Sequence, residues 1–487
     1  MAKTNRNPYK ASIFKQHQKP LVIFGAIFVL VLLLLTFFIG IPLIIREQIK
    51  LEARLEVGPY VWEEKRVRNV LEVNEEKDYV RYTETLHYYF REDLSVGSQE
   101  DKMDIVNIPF VALSTILYQK VYSFIANSAI DHFMEEEKEN IVQRGVKVRE
   151  FIFDGVKLNP MYESLANLGG IQLPAEFADG TFAMYNRKNG TETPEYIVNR
   201  GVKNVTKFGD LMAFDKKPEL TWWTNSSLPA GAQQYCNKIN GSDGGMFPPF
   251  VTKDRTIYIF PYEICRNIYL DFVKEVNYQG VPAYYFKIPD RMLANPREVP
   301  TNDCYLTSYG HGLPDPPFRG AYRMFTCKGG VPLLLSKPHY LGASDAIRNG
   351  INGMKPDVSI HDVELEVEPN SGMLLRINRR IQINLEYIPL PDITAFENVN
   401  HTAIPVFWVD EAIKIDDASL EDLYYRLIIP LKIVAFGKWI VVGVTLVCIL
   451  SALLQMLFTN QKDKEPAPLI PNGTKLGETL LPNCEKS

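Results

Sequence analysis

The sequence predicts an α+β chain in which two membrane-crossing helices flank one large, mainly β loop. Three observations carry that expectation. Two long charge-free runs lie near the ends, a polar–apolar alternation runs through residues 363–387, and a proline-free stretch from Val111 suits helices.

The two runs set the broad class. Residues 21–45 are twenty-five positions without a charge, and residues 439–458 are twenty. At about 1.5 Å per residue, either helix can cross a hydrocarbon core of roughly 30 Å. The first run is too long for a signal-peptide core and lacks a small-residue cleavage site, so it reads as a retained anchor. Lys3, Arg6, Lys10, Lys15 and Lys19 precede it with no acidic residue between them. By the positive-inside rule the tail 1–20 is cytoplasmic. Two crossings return the tail 459–487 to the cytosol and leave 46–438 as one exterior loop. Lys432 and Lys438 run against that rule, although Lys438 can snorkel and Trp439 suits the interface.

The loop's chemistry fits a secretory compartment. Sequons stand at Asn189, Asn204, Asn225, Asn240 and Asn400. Cys236, Cys265, Cys304 and Cys327 form an even set and are expected to make two disulfides in an oxidising lumen. Cys448 falls inside the second run and Cys484 in the tail. A net charge of −5 and the absence of a long basic run give no argument for nucleic acid.

Within the loop, Val363, Leu365 and Val367 alternate with Glu364, Glu366 and Glu368. A three-residue Asn370-Ser371-Gly372 turn would set Ile377 against Leu365 and Leu375 against Val367, with Gly372 left-handed. The same register puts Glu366 beside Arg376 on a wet face. From Val111 the residues are apolar almost all round, but Ser114, Thr115, Gln119, Lys120, Ser123 and Asn127 argue for a packed helix over a third span. Glu135 to Glu139, with Lys138, reads as a solvated helix end. No GxSxG, HExxH, GxxxxGK[ST] or GxGxxG occurs, and no His pair sits at helical ligand spacing. The expectation is therefore no enzyme, no cofactor and no metal.

Particular blocks resemble the class B scavenger receptor family, which takes in the fatty-acid translocase, the lysosome integral membrane protein type two and the sensory neuron membrane proteins. They are EVGPYVW at Glu56, NIPF at Asn107, CNKINGSDGGMFPPF at Cys236, ICRNIYLDF at Ile264, KPHYLGAS at Lys337 and the VELEVEPNSG hairpin. The resemblance implies an antiparallel β-barrel-like ectodomain, an apical helical bundle over 111–150 and an internal lipid tunnel. It selects the pairings Cys236–Cys304 and Cys265–Cys327. It makes Lys120, Lys138, Arg144 and Lys147 candidates for ligand contact, and fatty acids, sterols, phospholipids or lipoproteins the expected ligands. The sequence departs from the family in a short neck before Glu56, which should leave a strand edge exposed, and in Lys120, near where the lysosomal relative carries a cargo-release histidine.

The tail has its own pattern. Glu465, Leu469 and Ile470 form an acidic-dileucine signal, [DE]xxxL[LI], similar to that of the lysosomal relative. A clathrin adaptor can grip the two apolar side chains of such an extended peptide. The function expected is lipid binding and transfer at lysosomal or late endosomal membranes, with some residence at the plasma membrane. The alternative is a sorting receptor that carries a luminal enzyme to lysosomes.

Overall fold

A computed structural model describes residues 58–121, 123–170, 179–223, 232–305, 319–390, 393–396 and 400–462. The tail 1–20, the first expected span at 21–45, Asn225 and the tail pattern of Glu465, Leu469 and Ile470 lie outside them. The chain divides into two units, a body that runs to Lys414 and a second unit from Ile415 onward that also takes in residues 279–281.

In the body, β1 (Trp62–Asn74), β2 (Tyr79–Phe90), β7 (Tyr196–Asn199) and β8 (Leu211–Phe214) form a four-stranded sheet in that order. Strands β3 (Lys102–Val106) and β4 (Val142–Lys147) pair with each other, as do the short β5 (Val156–Lys157) and β6 (Thr181–Phe182). An eight-stranded sheet takes β9 (Ile257–Ile259), β10 (Ile268–Tyr278), β11 (Val281–Lys287), β12 (Ala321–Arg323), β13 (Leu333–Ser336), β14 (Glu364–Val367), β15 (Leu374–Tyr387) and β16 (Thr402–Lys414). The assigned pairs are antiparallel.

The expected barrel is not closed. Among the described residues the large sheet ends at β12 on one side and β9 on the other, and neither pairs with the small sheet. Its centre is β15, fourteen residues long. One edge of β15 pairs with β16 along almost its whole length, from Arg376 to Tyr387. The other edge is shared, with β14 on the N-terminal half and β13 on the C-terminal half. Burial follows: Leu374, Ile377, Leu385 and Tyr387 sit in the main core with Leu365, Val367 and Phe286.

The β14–β15 turn follows the expected register over most of its length. Leu365 faces Ile377 and Glu366 faces Arg376, but a bulge after Glu366 sets Val367 against Leu374 instead of Leu375. The glutamate face is not wet. Glu366 is 7% exposed and bonds Arg376 at 2.7 Å; Glu368 is 0% exposed. The turn itself consumes the second carboxylate, since Glu368 accepts from the backbone and side chains of both Asn370 and Ser371 at 2.7–3.1 Å. A buried carboxylate with this many donors is satisfied without water.

Gly372 takes φ +73°, and a Cβ there would lie 2.2 Å from the Phe247 carbonyl oxygen. Gly372→Ala is therefore expected to cost more than the roughly 1–2 kcal/mol of a left-handed L-residue, because the close approach adds to it. Chemical denaturation of the purified chain measures this; a loss under 1 kcal/mol would mean the turn rebuilds.

At the sheet edge, β1 has no second strand neighbour among the described residues, and most of its side chains are exposed. The short neck itself, from which an exposed edge is expected, lies outside the described residues. Such an edge templates mispairing unless something covers it.

Candidate functional site

The helical stretch is a pair, α1 (Ile108–Lys120) and α2 (Ser123–Glu137), with α3 (Met161–Leu168) packed against it. Asn107 caps α1 by accepting from the Phe110 amide at 3.2 Å, and Pro109 stands in the first turn, where its missing N–H costs nothing. From Phe110 to Leu117 every residue of α1 is buried. The two hydroxyls in that stretch are spent locally: Ser114 and Thr115 donate to the Phe110 and Val111 carbonyls, each at 2.8 Å. That is how a helix apolar all round stays inside a bundle.

The far end of α2 is tied back to the start of α1. The Asn107 amide donates to Glu139 at 2.8 Å, and the Tyr162 hydroxyl donates to the same carboxylate at 3.1 Å. Burial and the Glu139 charge both push the Tyr162 phenol well above its ordinary range, so it remains a donor. Phe133 packs edge-on against Tyr162 at 4.8 Å. Lys138, with φ 60°, leaves the helix directly after Glu137.

The four candidate cations are not one patch. Lys120 ends α1 at the opposite end from Asn107, so thirteen residues, roughly 20 Å, separate it from Lys138. Arg144 and Lys147 lie on β4, whose start is bonded to Asn107 through Ile141. Arg144 stands 4.0 Å from Asp104, and Lys147 sits 3.0 Å from Glu100. Lys138 has Glu135, Glu136, Glu137 and Glu139 as chain neighbours. At the other end Lys120 is exposed, and so is Phe124, four positions on in the chain and 73% exposed.

Beneath the helices lies a cystine-braced core. Cys236 is joined to Cys304 and Cys265 to Cys327, closing segments of 68 and 62 residues that interleave in sequence. The buried Trp223 indole donates to the Cys265 carbonyl at 2.8 Å and meets Tyr305 edge-on at 4.9 Å. Arg266, 2% exposed, stacks 3.7 Å above the Tyr305 ring. Guanidinium over phenol is the way a buried arginine shares its charge with an apolar neighbourhood.

Sequence reading missed the charged groups inside the body. The Arg323 guanidinium forks onto Glu386 with two bonds of 2.8 Å, and His401 Nε2 meets the same carboxylate at 2.7 Å. Asp362 takes Lys337 at 2.7 Å and Lys287 at 2.9 Å. Burial opposes its charge, yet the two ammonium groups hold its carboxyl below the usual range. His339 and His361 stack at 4.3 Å, and each Nδ1 accepts a backbone N–H, from Lys355 and Asp357. On the small sheet Arg66 and Arg68 both reach Glu84, and Arg68 also bonds Asp243, which accepts from the Tyr82 hydroxyl at 2.7 Å. Apart from Asp357 and His361, these partners lie fifteen or more positions apart, so only the fold could reveal them. Among the described residues, no group of three or more His, Cys, Asp or Glu is arranged to hold a metal.

Of the sequon asparagines, Asn189, Asn204 and Asn400 are exposed, while Asn240 is half-buried. Asn204 Oδ1 caps a short helical turn through the Thr206 amide at 3.0 Å, and Asn189 Oδ1 accepts from the Tyr88 amide at 3.1 Å.

In the second unit, α4 (Asp417–Leu423) is capped by Asp416, which accepts from the Ser419 amide at 2.9 Å. A single wide π turn, Tyr424–Ile428, leads into α5 (Ile429–Lys462). Pro430 accounts for the widening, because it lacks an N–H and its ring would crowd the carbonyl four residues back. The helix begins ten residues before the expected span at Trp439 and carries Lys432 and Lys438 on its first turns. Lys432 lies over Tyr424 at 5.0 Å and Lys438 over Trp439 at 5.7 Å. Along 439–457 its large apolar side chains are exposed, and the Thr445 and Ser451 hydroxyls bond backward to helix carbonyls at 2.8 Å. Among the described residues this is the one helix long and apolar enough to cross a membrane.

The CD36 family profile matches residues 46–456. The chain belongs to the CD36 family. It is 27% identical to sensory neuron membrane protein 2 of Manduca sexta over 423 residues, covering 82% of this chain and 78% of the relative. It is 28% identical to lysosome membrane protein 2 of Rattus norvegicus over 374 residues, 76% and 71% of the two chains. A sensory neuron membrane protein 1 from Mamestra brassicae is 28% identical over 408 residues, 79% and 72%. This is the family that the motif blocks pointed to, one of membrane receptors and not of enzymes. The CD36-family match runs through the whole described body and into α5.

Proposed function

We propose that this CD36-family chain is an endolysosomal membrane receptor that binds lipids or lipoproteins and passes lipid through a tunnel in its exterior domain. In this reading residues 46–438 form the glycosylated exterior loop between spans at 21–45 and 439–458, with both tails cytoplasmic. The observation that carries it is the family-matched body joined, along the chain, to α5 with its exposed apolar surface. At the helical apex, the exposed Lys120 and Phe124, four positions apart in the chain, offer a cation and an apolar group, chemistry that suits an anionic amphiphile. The end with Lys138 is crowded by glutamates and suits it less.

Lipid identification by mass spectrometry on the detergent-purified full chain tests the reading. Acyl lipid or sterol retained in roughly one-to-one amount and absent from a mock purification is expected. A preparation carrying no lipid above the control would overturn transfer, and would favour the carriage of a luminal protein.

Location rests on the tail. Leu469→Ala with Ile470→Ala should leave folding intact, slow internalisation and raise the surface fraction, because the adaptor's two apolar anchors are gone. Glu465→Ala should give a weaker shift, since an exposed charge contact contributes at most about 1 kcal/mol. Surface biotinylation reads both. An unchanged surface fraction in the double variant would make the tail pattern a chance match.

A further inference from the structure

One cleft in the body has a sequon in its wall. It encloses about 340 Å³ and is lined by Asn240 together with Asp210, Arg255, Thr256, Tyr258 and Phe247. The backbone around the sequon is pinned: the Asn240 amide donates to Asn267 Oδ1 at 2.9 Å, Gly241 accepts from the Leu211 amide at 2.7 Å, and the Ser242 amide donates to the Tyr258 carbonyl at 3.2 Å. Gly241 is required there, because at φ +80° a Cβ would fall 1.9 Å from the Tyr258 carbonyl oxygen. The Asn240 backbone is thus held at a fixed place on the cleft wall, while Asn189, Asn204 and Asn400 stand on open surface.

We infer that this cleft is the seat of the first N-acetylglucosamine of a glycan on Asn240, so that the sugar is a packed part of the body. The inference rests on the exterior placement proposed above. Three properties of the cleft select that ligand. Its volume lies at the low end of small-ligand pockets, about 300–1,000 Å³, suited to one or two sugar rings. Its charged groups are one carboxylate and one guanidinium, Asp210 and Arg255, which together match a neutral polyhydroxy ligand better than an anion or a cation. Tyr258 adds an aromatic face for the apolar side of a pyranose, and Thr256 a hydroxyl. A tethered sugar also outcompetes any free one, because attachment on the wall gives it a millimolar effective concentration.

The test is site-resolved deglycosylation of the full chain made in secretory cells. Glycan occupancy is measured at each sequon by mass spectrometry. Peptide-N-glycosidase is then applied in heavy-oxygen water, before and after denaturation. Asn240 should be occupied and released at least about tenfold more slowly than Asn204 and Asn400 in the native protein, as a sugar seated most of the time requires. The difference should vanish on denaturation. Arg255→Ala with Thr256→Ala should speed native release at Asn240 and leave the other sites unchanged. An empty Asn240, or one released as fast as Asn204, overturns the inference while the exterior placement stands. No sugar at any sequon overturns both.

Discussion

Replacing Arg323 by Met is expected to destabilise the body by roughly 3–5 kcal/mol. Arg323 and Glu386 are both buried, and the guanidinium gives the carboxylate two bonds of 2.8 Å. Removing it takes the bidentate cation from an anion that Leu385 and Tyr387 flank in the interior. The double variant Arg323→Met with Glu386→Gln should recover much of the loss, since no charge is then buried. Denaturant midpoints of the single and double variants check this; a double variant no more stable than Arg323→Met alone would show that Glu386 does not carry the effect.

Removing the Cys265–Cys327 bridge by a double serine substitution should cost about 4 kcal/mol by the chain-entropy model for a loop of this size. Further loss follows from packing. Cys265 holds the left-handed conformation at the end of the short helical turn Tyr262–Ile264, and its carbonyl takes the Trp223 indole. Loss of the bridge therefore frees a residue on which an otherwise buried tryptophan depends for its hydrogen bond. Yield of the full chain is the readout in cells, and thermal unfolding is the readout in detergent. Normal yield with an unfolding midpoint within a degree or two of the parent would reject the estimate.

How far the sequence carried can be judged from individual elements. The β14–β15 hairpin was legible because its apolar alternation and Gly372 are local signals, and Glu366 does face Arg376. Its bulge was not, and neither was the burial of the glutamates. Both depend on what packs outside the strand: Glu368 folds into its own turn, and Tyr285 from β11 donates to Glu364 at 2.8 Å. The helices after Asn107 were legible as helices. The opposition of Lys120 and Lys138 was not, because it depends on α1 ending at the extended Val121 and on Glu139 returning to Asn107. In the C-terminal unit, hydropathy marked the apolar run, but the helix starts upstream at Ile429, where Lys432 and Pro430 look like interruptions. The pairings of Arg323, Glu386 and His401 join residues 63 and 15 positions apart, and no short pattern encodes them.

The interleaving of the two disulfides has a consequence for survival among proteases. The segments they close overlap between Cys265 and Cys304, so a single cut there falls inside both. The two fragments of a nicked chain remain covalently tied through each bridge, and reduction of either one alone does not part them. Cleavage between Cys304 and Cys327, a stretch containing the Pro-rich GLPDPPF sequence, leaves one tie in place. A receptor wired in this way can be clipped and still stay in one piece. On a gel it would run as an intact chain until reductant is added.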